Sequence, residues 1–296
     1  MGMEGFEYVK AHTIDEALRC LQLHGDQASI YGGGTDLIVQ MKAGLRRPKC
    51  LVDVKGIPGL AGMGLEADGR LRIGALTTMR QLETSPVVAR ACPALAQAAA
   101  ALGSLLIRNR ATLGGNICHA SPSAETAPAL LALDASVSVA GHEKSRTMPL
   151  DVLFLGPGVT ALSHDELLVE ICIPREWVGT SSIYLRHSIR GALDLAVVGV
   201  GVALRIDTHG CVVEARIGLG AVAPTPVRAL AAEEMLRGQR PTEEIVHQAS
   251  LRAVEATQPI SDSRGSAEYR KHLTEVLVER ALTGALFPKG EAWTGK

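Results

Sequence analysis

Short apolar runs, broken by glycine and proline, organise this chain, and their period changes along it. Phe6–Val9, Ala28–Tyr31 and Cys50–Val54 are brief and continuous, which predicts strands. Between the first two, Ile14, Ala17, Leu18 and Leu21 share one helical face through about Leu23. Thr13 and Glu16 fit a capping box at its start, the hydroxyl taking an N–H while the carboxylate reaches back. Leu37–Lys42 predicts a second helix. The first 57 residues thus read as a small β-α-β-α-β unit ended by Gly56 and Pro58.

A larger unit follows. Leu65–Ile73 reads as a hairpin with Asp68-Gly69 at its turn. Thr77-Thr78 caps a helix through Leu82, and Pro93–Leu102 and Thr126–Leu133 are helical. Strands Ser136–Ala140 and Ser145–Met148 flank Gly141, and Leu167–Ile173 is a strand stopped by Pro174. The pattern then shifts to three successive strands, Ser182–Arg190, Leu195–Ile206 and Cys211–Ala221, with a turn at Thr208-His209-Gly210. Helices Val227–Arg237, Thr242–Glu255 and Ser266–Leu282 complete a separate antiparallel sheet packed by helices. The domain boundary is expected within Arg175–Thr180.

At 296 residues, 47% hydrophobic and 21% charged, the chain has the makings of a soluble globular protein of one large or two modest domains. Net charge is −1, and Arg46-Arg47-Pro48-Lys49 reads as a solvated loop, which disfavours nucleic acid as a partner. Met1–Lys10 carries Glu4 and Glu7 and does not read as a secretory signal. Leu95–Ile107 is interrupted by Gln97 and Ser104 and is too short to cross a bilayer. A cytoplasmic location without a transmembrane segment is the expectation. Cys20, Cys50, Cys92, Cys118, Cys172 and Cys211 are scattered without a C-x-x-C, so no grouping for a cluster or structural zinc site is visible and most of them read as isolated buried thiols.

The candidate chemistry lies in two glycine turns. Gly32-Gly33-Gly34-Thr35-Asp36 follows a strand and opens a helix, an arrangement that aims N–H groups at a phosphate. Thr112-Leu113-Gly114-Gly115-Asn116 adds two adjacent glycines whose N–H groups an anion could approach, with Thr112, Asn116 and Ser121 supplying short polar side chains. Neither turn matches G-x-x-x-x-G-K-[ST] or G-x-G-x-x-G, and either one alone is equally a plain tight turn. Together they suggest a clamp on the two phosphates of a dinucleotide. Cys118 falls near the same place, while His119 and His187 have no assigned role.

Five stretches in order give the chain a resemblance to the FAD-binding medium subunit of the molybdenum hydroxylases, the xanthine dehydrogenase, aldehyde oxidase and CO dehydrogenase family. They are Gly32–Leu37, Ile73–Thr78, Thr112–Asn116, Arg190–Ala196 and Gly265–Arg270. The family's first turn usually begins with Ala where this chain has Gly32, a conservative change for a backbone-binding loop. The resemblance implies an α+β fold. A PCMH/VAO-like FAD-binding domain over residues 1–177, with subdomains of about 1–57 and 58–177, holds FAD between its halves. A C-terminal α+β domain of the CO dehydrogenase flavoprotein type covers residues 178–296.

It also implies FAD contacts. These are Ile30, Tyr31, Gly32, Gly33, Gly34, Thr35, Asp36 and Leu37 around the first turn, and Thr112, Leu113, Gly114, Gly115 and Asn116 at the second. Thr77, Leu102, Glu125, Leu168, Arg186 and Asp194 would line the cofactor. Glu125 could accept from a ribose or adenine edge, or could be a charge at a helix N-terminus. Asp194 is either a turn residue or a neighbour of the flavin ring, which Tyr184 and Arg186 could also approach. No catalytic side chain is implied, because the flavin does the chemistry. The implied partners are a large molybdopterin-binding subunit and a small [2Fe–2S] subunit, in a dimer of heterotrimers that passes electrons to an external acceptor. The alternatives are a self-contained FAD oxidase and a relative of the fold that has lost the cofactor.

Overall fold

The computed structural model describes residues 4–191 and 193–287. Ala192, within the Arg190–Ala196 stretch, lies outside the described residues, as do residues 1–3 and 288–296. The chain begins with β1 (Glu7–Lys10), α1 (Ile14–His24), β2 (Ala28–Tyr31), α2 (Leu37–Lys42) and β3 (Cys50–Asp53). The three strands form a parallel sheet in the order β1-β3-β2. Thr13 caps α1 by accepting from Glu16 N–H, and Glu16 returns a carboxylate to His12 N–H, so the expected box forms one residue wider than its simplest form. Ala17, Leu18 and Leu21 of α1 then bury against Cys50 and Val52 of β3.

The second unit contains β4 (Met63–Leu65), β5 (Leu71–Gly74), α3 (Met79–Thr84), α4 (Pro86–Ala91), α5 (Pro93–Ala101), α6 (Leu105–Arg108), α7 (Leu113–Cys118) and α8 (Thr126–Ala132). It continues with β6 (Ser136–Ala140), β7 (Arg146–Pro149), a small hairpin of β8 (Phe154–Gly156) and β9 (Val159–Thr160), and β10 (Leu167–Ile173). Its antiparallel sheet runs β4-β5-β10-β6-β7. The Asp68-Gly69 hairpin has a three-residue loop, Glu66 N–H donating to Arg70 O and Gly69 sitting at φ +88°, the left-handed position such loops require.

The last unit is β11 (Ser181–His187), β12 (Val198–Ile206), β13 (Val212–Gly220), the short β14 (Val227–Arg228), α9 (Leu230–Leu236), α10 (Glu243–Val254) and α11 (Ala267–Leu286). The helix expected over Val227–Arg237 begins later, at Leu230, because Val227–Arg228 pairs with Gly218 and Leu219 as an edge strand. Likewise β12 starts at Val198, not Leu195, since residues 193–197 are not in a strand.

This sheet is covered on both faces, and its sequence says how. In β12, valines alternate with small residues: Val198, Val200, Val202 and Leu204 join the core beneath α9–α11, while Gly199, Gly201 and Ala203 face the other way. Gly199 pairs with Gly220 and Gly201 with Gly218, which makes a shallow glycine floor. Pro128 of α8 rests on it. A Cβ added at Gly218 would lie 2.2 Å from Pro128 O, and one at Gly201 2.5 Å from the same atom. The C-terminal sheet is therefore docked to the preceding unit through glycines that serve packing, not turning. Gly218→Ala should lower stability by about 2–3 kcal/mol, since backbone meets backbone and no side chain can swing aside. Urea titration checks this, and an unchanged midpoint would mean that α8 shifts freely.

Candidate cofactor cleft

β2 delivers the chain into Gly32–Asp36 and α2 carries it away. Ile38 N–H bonds Gly34 O at 3.1 Å and Gln40 N–H bonds Asp36 O at 2.9 Å as the helix begins. Among the described residues, none accepts from the N–H groups of Gly33, Gly34, Thr35 or Asp36. Those donors border a cleft of about 920 Å³. Gly34 has φ +76°, and a Cβ there would lie 2.3 Å from the Tyr31 ring. Gly33 is tighter still: its Cβ would lie 2.1 Å from Arg110 O.

The second turn works differently, and here the sequence reading is corrected. Thr112–Asn116 is not an open loop but the start of α7, with Thr112 as N-cap. Gly115 N–H donates to Thr112 Oγ1 at 3.1 Å, and Gly114 N–H donates to Ala75 O at 2.8 Å. Neither donor is free for an anion. The glycines are required by contact: a Cβ on Gly114 would lie 2.7 Å from Ala75 Cβ, and one on Gly115 2.8 Å from Thr112 Oγ1. Asn116 Oδ1 accepts from Thr126 Oγ1 at 2.6 Å, tying α7 to α8.

Most of the residues singled out in the sequence come together on this cleft. Ile30, Gly32–Leu37, Leu102, Thr112, Gly114–Asn116, Glu125, Leu168 and Asp194 line it, with Cys118 and His119. Four do not. Thr77 is fully buried and turned away, its hydroxyl donating to Gly62 O at 2.8 Å; the helix cap is Thr78 alone. Leu113 is in the core of the second unit. Tyr31 packs beneath Gly34, and its ring holds Lys55 Nζ 3.5 Å from the centroid. Arg186 stands behind Glu125. The sequence also missed a wall: Thr160 at the end of β9, and Leu162, Ser163, His164 and Glu166 in the connection to β10, line the cleft, from a segment whose two-residue strand and loop leave no period to read. Arg46, expected in a solvated loop, stands on the rim, whereas Arg47 pairs with Glu4 at 2.8 Å.

Glu125 stands at the N-cap position of α8, as a residue at that helix's N-terminus, but it is not a free acceptor. It makes no capping bond, and its carboxylate is held by the Tyr184 hydroxyl and by Arg186 Nη1, the latter at 2.5 Å. Burial pushes its carboxyl above the ordinary range, and the bonds from Tyr184 and Arg186 offset part of that. Tyr184 is buried among Ala94, Ala98 and Ala129, beneath Glu125, so it does not reach the cleft. Arg186 also donates to Asp194 O at 3.0 Å and Gly191 O at 2.7 Å. Asp194 accepts from Leu195 N–H at 3.0 Å and Arg190 N–H at 3.2 Å, so it is a turn residue, and it lines the cleft as well. Leu193–Leu195 thus form a third wall, anchored to the second unit through Arg186 and Glu125. The Gly265–Arg270 stretch braces this loop from behind: Ser266 caps α11, and buried Arg270 donates to Val197 O at 2.8 Å and Ala221 O at 3.0 Å.

The cysteines are mostly apart, but Cys20 and Cys50 are not: their sulfurs lie 3.6 Å from each other. Cys118 is on the cleft, and burial pushes its thiol up to about 12, which argues against a nucleophile.

The cleft fits an extended dinucleotide. Its volume is near the upper end of the roughly 300–1,000 Å³ usual for ligand pockets. Its unpaired N–H groups suit a pyrophosphate, and Leu76, Leu102, Ile107 and Leu168 give apolar surface for rings. Residues 4–176 match the family described as FAD binding domain in molybdopterin dehydrogenase, and residues 183–285 match the CO dehydrogenase flavoprotein C-terminal domain. The xanthine dehydrogenase FAD-binding subunit of Escherichia coli O157:H7 is 33% identical over 96% of this chain and 97% of its own. The carbon monoxide dehydrogenase medium chain of Hydrogenophaga pseudoflava is 34% identical over 95% of this chain and 96% of its own. Among solved structures, carbon monoxide dehydrogenase from H. pseudoflava lacking the Mo-pyranopterin moiety superposes with a TM-score of 0.92, at 36% identity, over 96% of this chain and 98% of that one. With both halves matched and the cleft set within the first, closed by Leu193–Leu195 of the second, the chain belongs to the FAD-binding medium subunits of the molybdenum hydroxylases: it is an oxidoreductase subunit, and its cofactor is FAD.

Proposed function

We propose that this chain is the electron-transferring subunit of a multi-subunit molybdenum hydroxylase, taking electrons from [2Fe–2S] clusters on one partner and passing them to an external acceptor. The observation that carries this is the cleft itself: one run of unpaired N–H groups, Gly33–Asp36, faces apolar walls drawn from all three units. FAD held there supplies redox chemistry that bridges one-electron clusters and a two-electron acceptor. The chain's residues bind and orient it. The Gly33–Asp36 N–H groups meet the pyrophosphate, the Leu102 and Leu168 side chains exclude water, and the Asp194 loop closes the third side. An iron–sulfur cluster needs about four thiolate ligands, and the compact metal-ligand grouping among the described residues offers two. In this reading the clusters and the molybdopterin are held by a small and a large partner subunit in a dimer of heterotrimers, which the likeness to a carbon monoxide dehydrogenase medium chain supports. No helix among the described residues is long and apolar enough to cross a membrane.

Stopped-flow spectroscopy of the isolated chain and of the co-purified complex tests this. Acid should release the flavin as FAD from both. Aldehydes, purines or N-heterocycles should bleach the flavin in the complex and leave it oxidised in the isolated chain. Bleaching of the isolated chain at the complex's rate would overturn the subunit reading and favour a self-contained oxidase.

A further inference from the structure

Beneath the parallel sheet's helix-covered face, the end of α1 meets the start of β1 and β3. Cys20 and His24 stand one helical turn apart on α1, so their side chains share a face. Cys50 opens β3 and is fully buried under that face. The two sulfurs are 3.6 Å apart, and the two sulfurs and a His24 ring nitrogen all lie within 4.8 Å of one another. Glu7 is the Cα partner of Cys50 across the β1–β3 ladder, and its Oε2 lies 3.8 Å from His24 Nε2.

We propose that Cys20, His24, Cys50 and Glu7 form a zinc site that staples α1 to the parallel sheet. Ligand type and spacing both support it. Two thiolates and an imidazole are a donor set that selects zinc over hard cations. With zinc–sulfur bonds of about 2.3 Å, the two sulfurs of a tetrahedral site stand about 3.8 Å apart, within about 0.2 Å of where these already are. His24 is the last residue of its helix and is 23% exposed at the side chain, which gives an ion a way in and the ring room to turn. Glu7 is exposed, and its carboxylate, already facing His24, would turn to complete the fourth corner. β3 pairs with β2, which runs from Ala28 beside Cys50 to the Gly32–Asp36 turn at its other end, so the staple would stiffen the unit that presents it.

The FAD-loaded full chain, titrated with Co²⁺ as a spectroscopic stand-in and then with Zn²⁺, tests the site. Tetrahedral thiolate-bound Co²⁺ absorbs at wavelengths longer than oxidised flavin. We expect that band at one Co²⁺ per chain, its loss when Zn²⁺ is added, and a raised thermal midpoint with Zn²⁺. Cys20→Ser and His24→Ala should weaken binding by more than about 100-fold and about 10-fold respectively, while Cys211→Ser should not change it. Because Cys50→Ala alters a buried position, half-exposed Cys20 carries the test. A weak, six-coordinate Co²⁺ spectrum that Cys20→Ser leaves unchanged would overturn the proposal. So would a Cys20–Cys50 disulfide in protein purified without oxygen.

Discussion

Arg186→Met should lower stability by about 3–5 kcal/mol at neutral and higher pH, and FAD affinity with it. The guanidinium closes on Glu125, Asp194 O and Gly191 O. Methionine fills similar space but leaves the Glu125 carboxylate buried with only the Tyr184 hydroxyl to meet it. It also frees the Leu193–Leu195 wall of the cleft. The pH dependence is the signature. Burial already holds the Glu125 carboxyl above its ordinary range, and loss of the cation raises it further. A carboxyl raised in this way binds its proton more tightly when folded. Its contribution is complete below the unfolded value of about 4.3 and is lost as pH rises through the folded one. The variant should therefore be least impaired near pH 4–5 and most impaired above the folded pKa. Adding Glu125→Gln should recover much of the loss, because an amide still accepts from Tyr184 without a charge. Urea titrations at about pH 5 and pH 8 check the sign. An equal loss at both would mean that the loop hydrogen bonds, not the stranded carboxylate, dominate.

Gly33→Ala should cost about 3 kcal/mol or more and leave most chains without FAD. The added methyl would meet Arg110 O at 2.1 Å and its carbonyl carbon at 2.9 Å, both backbone atoms. Relief requires the first turn to move away from the Arg110–Thr112 segment, which opens the cleft and redirects the N–H groups of Gly33–Asp36. Flavin content after gel filtration measures the effect. Loss of a ligand in hundredfold excess over Kd itself removes about 2.7 kcal/mol, so the apo forms must be compared as well. Gly64→Ala is the control, since nothing lies within 4 Å of its Cβ position. Full occupancy and an unchanged melting temperature in Gly33→Ala would show that the two segments part without consequence.

The sequence by itself determined the local elements and the family. Ala28–Tyr31, Leu37–Lys42, Ser136–Ala140 and Leu167–Ile173 form where period and flanking breakers place them, because strand and helix patterning acts over a few residues. Glycine positions were legible too, but not their purpose. Whether Gly115 offers its N–H to a ligand or to Thr112 depends on how α7 begins, and whether Gly218 marks a turn or a seat for Pro128 depends on a helix from another unit. Tertiary structure alone decided the partners of Glu125, which lie 59 and 61 residues away, and the meeting of Cys20 with Cys50 across 30 residues. Burial and hydrogen-bond pairing are set by groups that approach only when the chain is folded. A carboxylate or thiol has the same local sequence whether it ends in water, in an ion pair or beside a second sulfur.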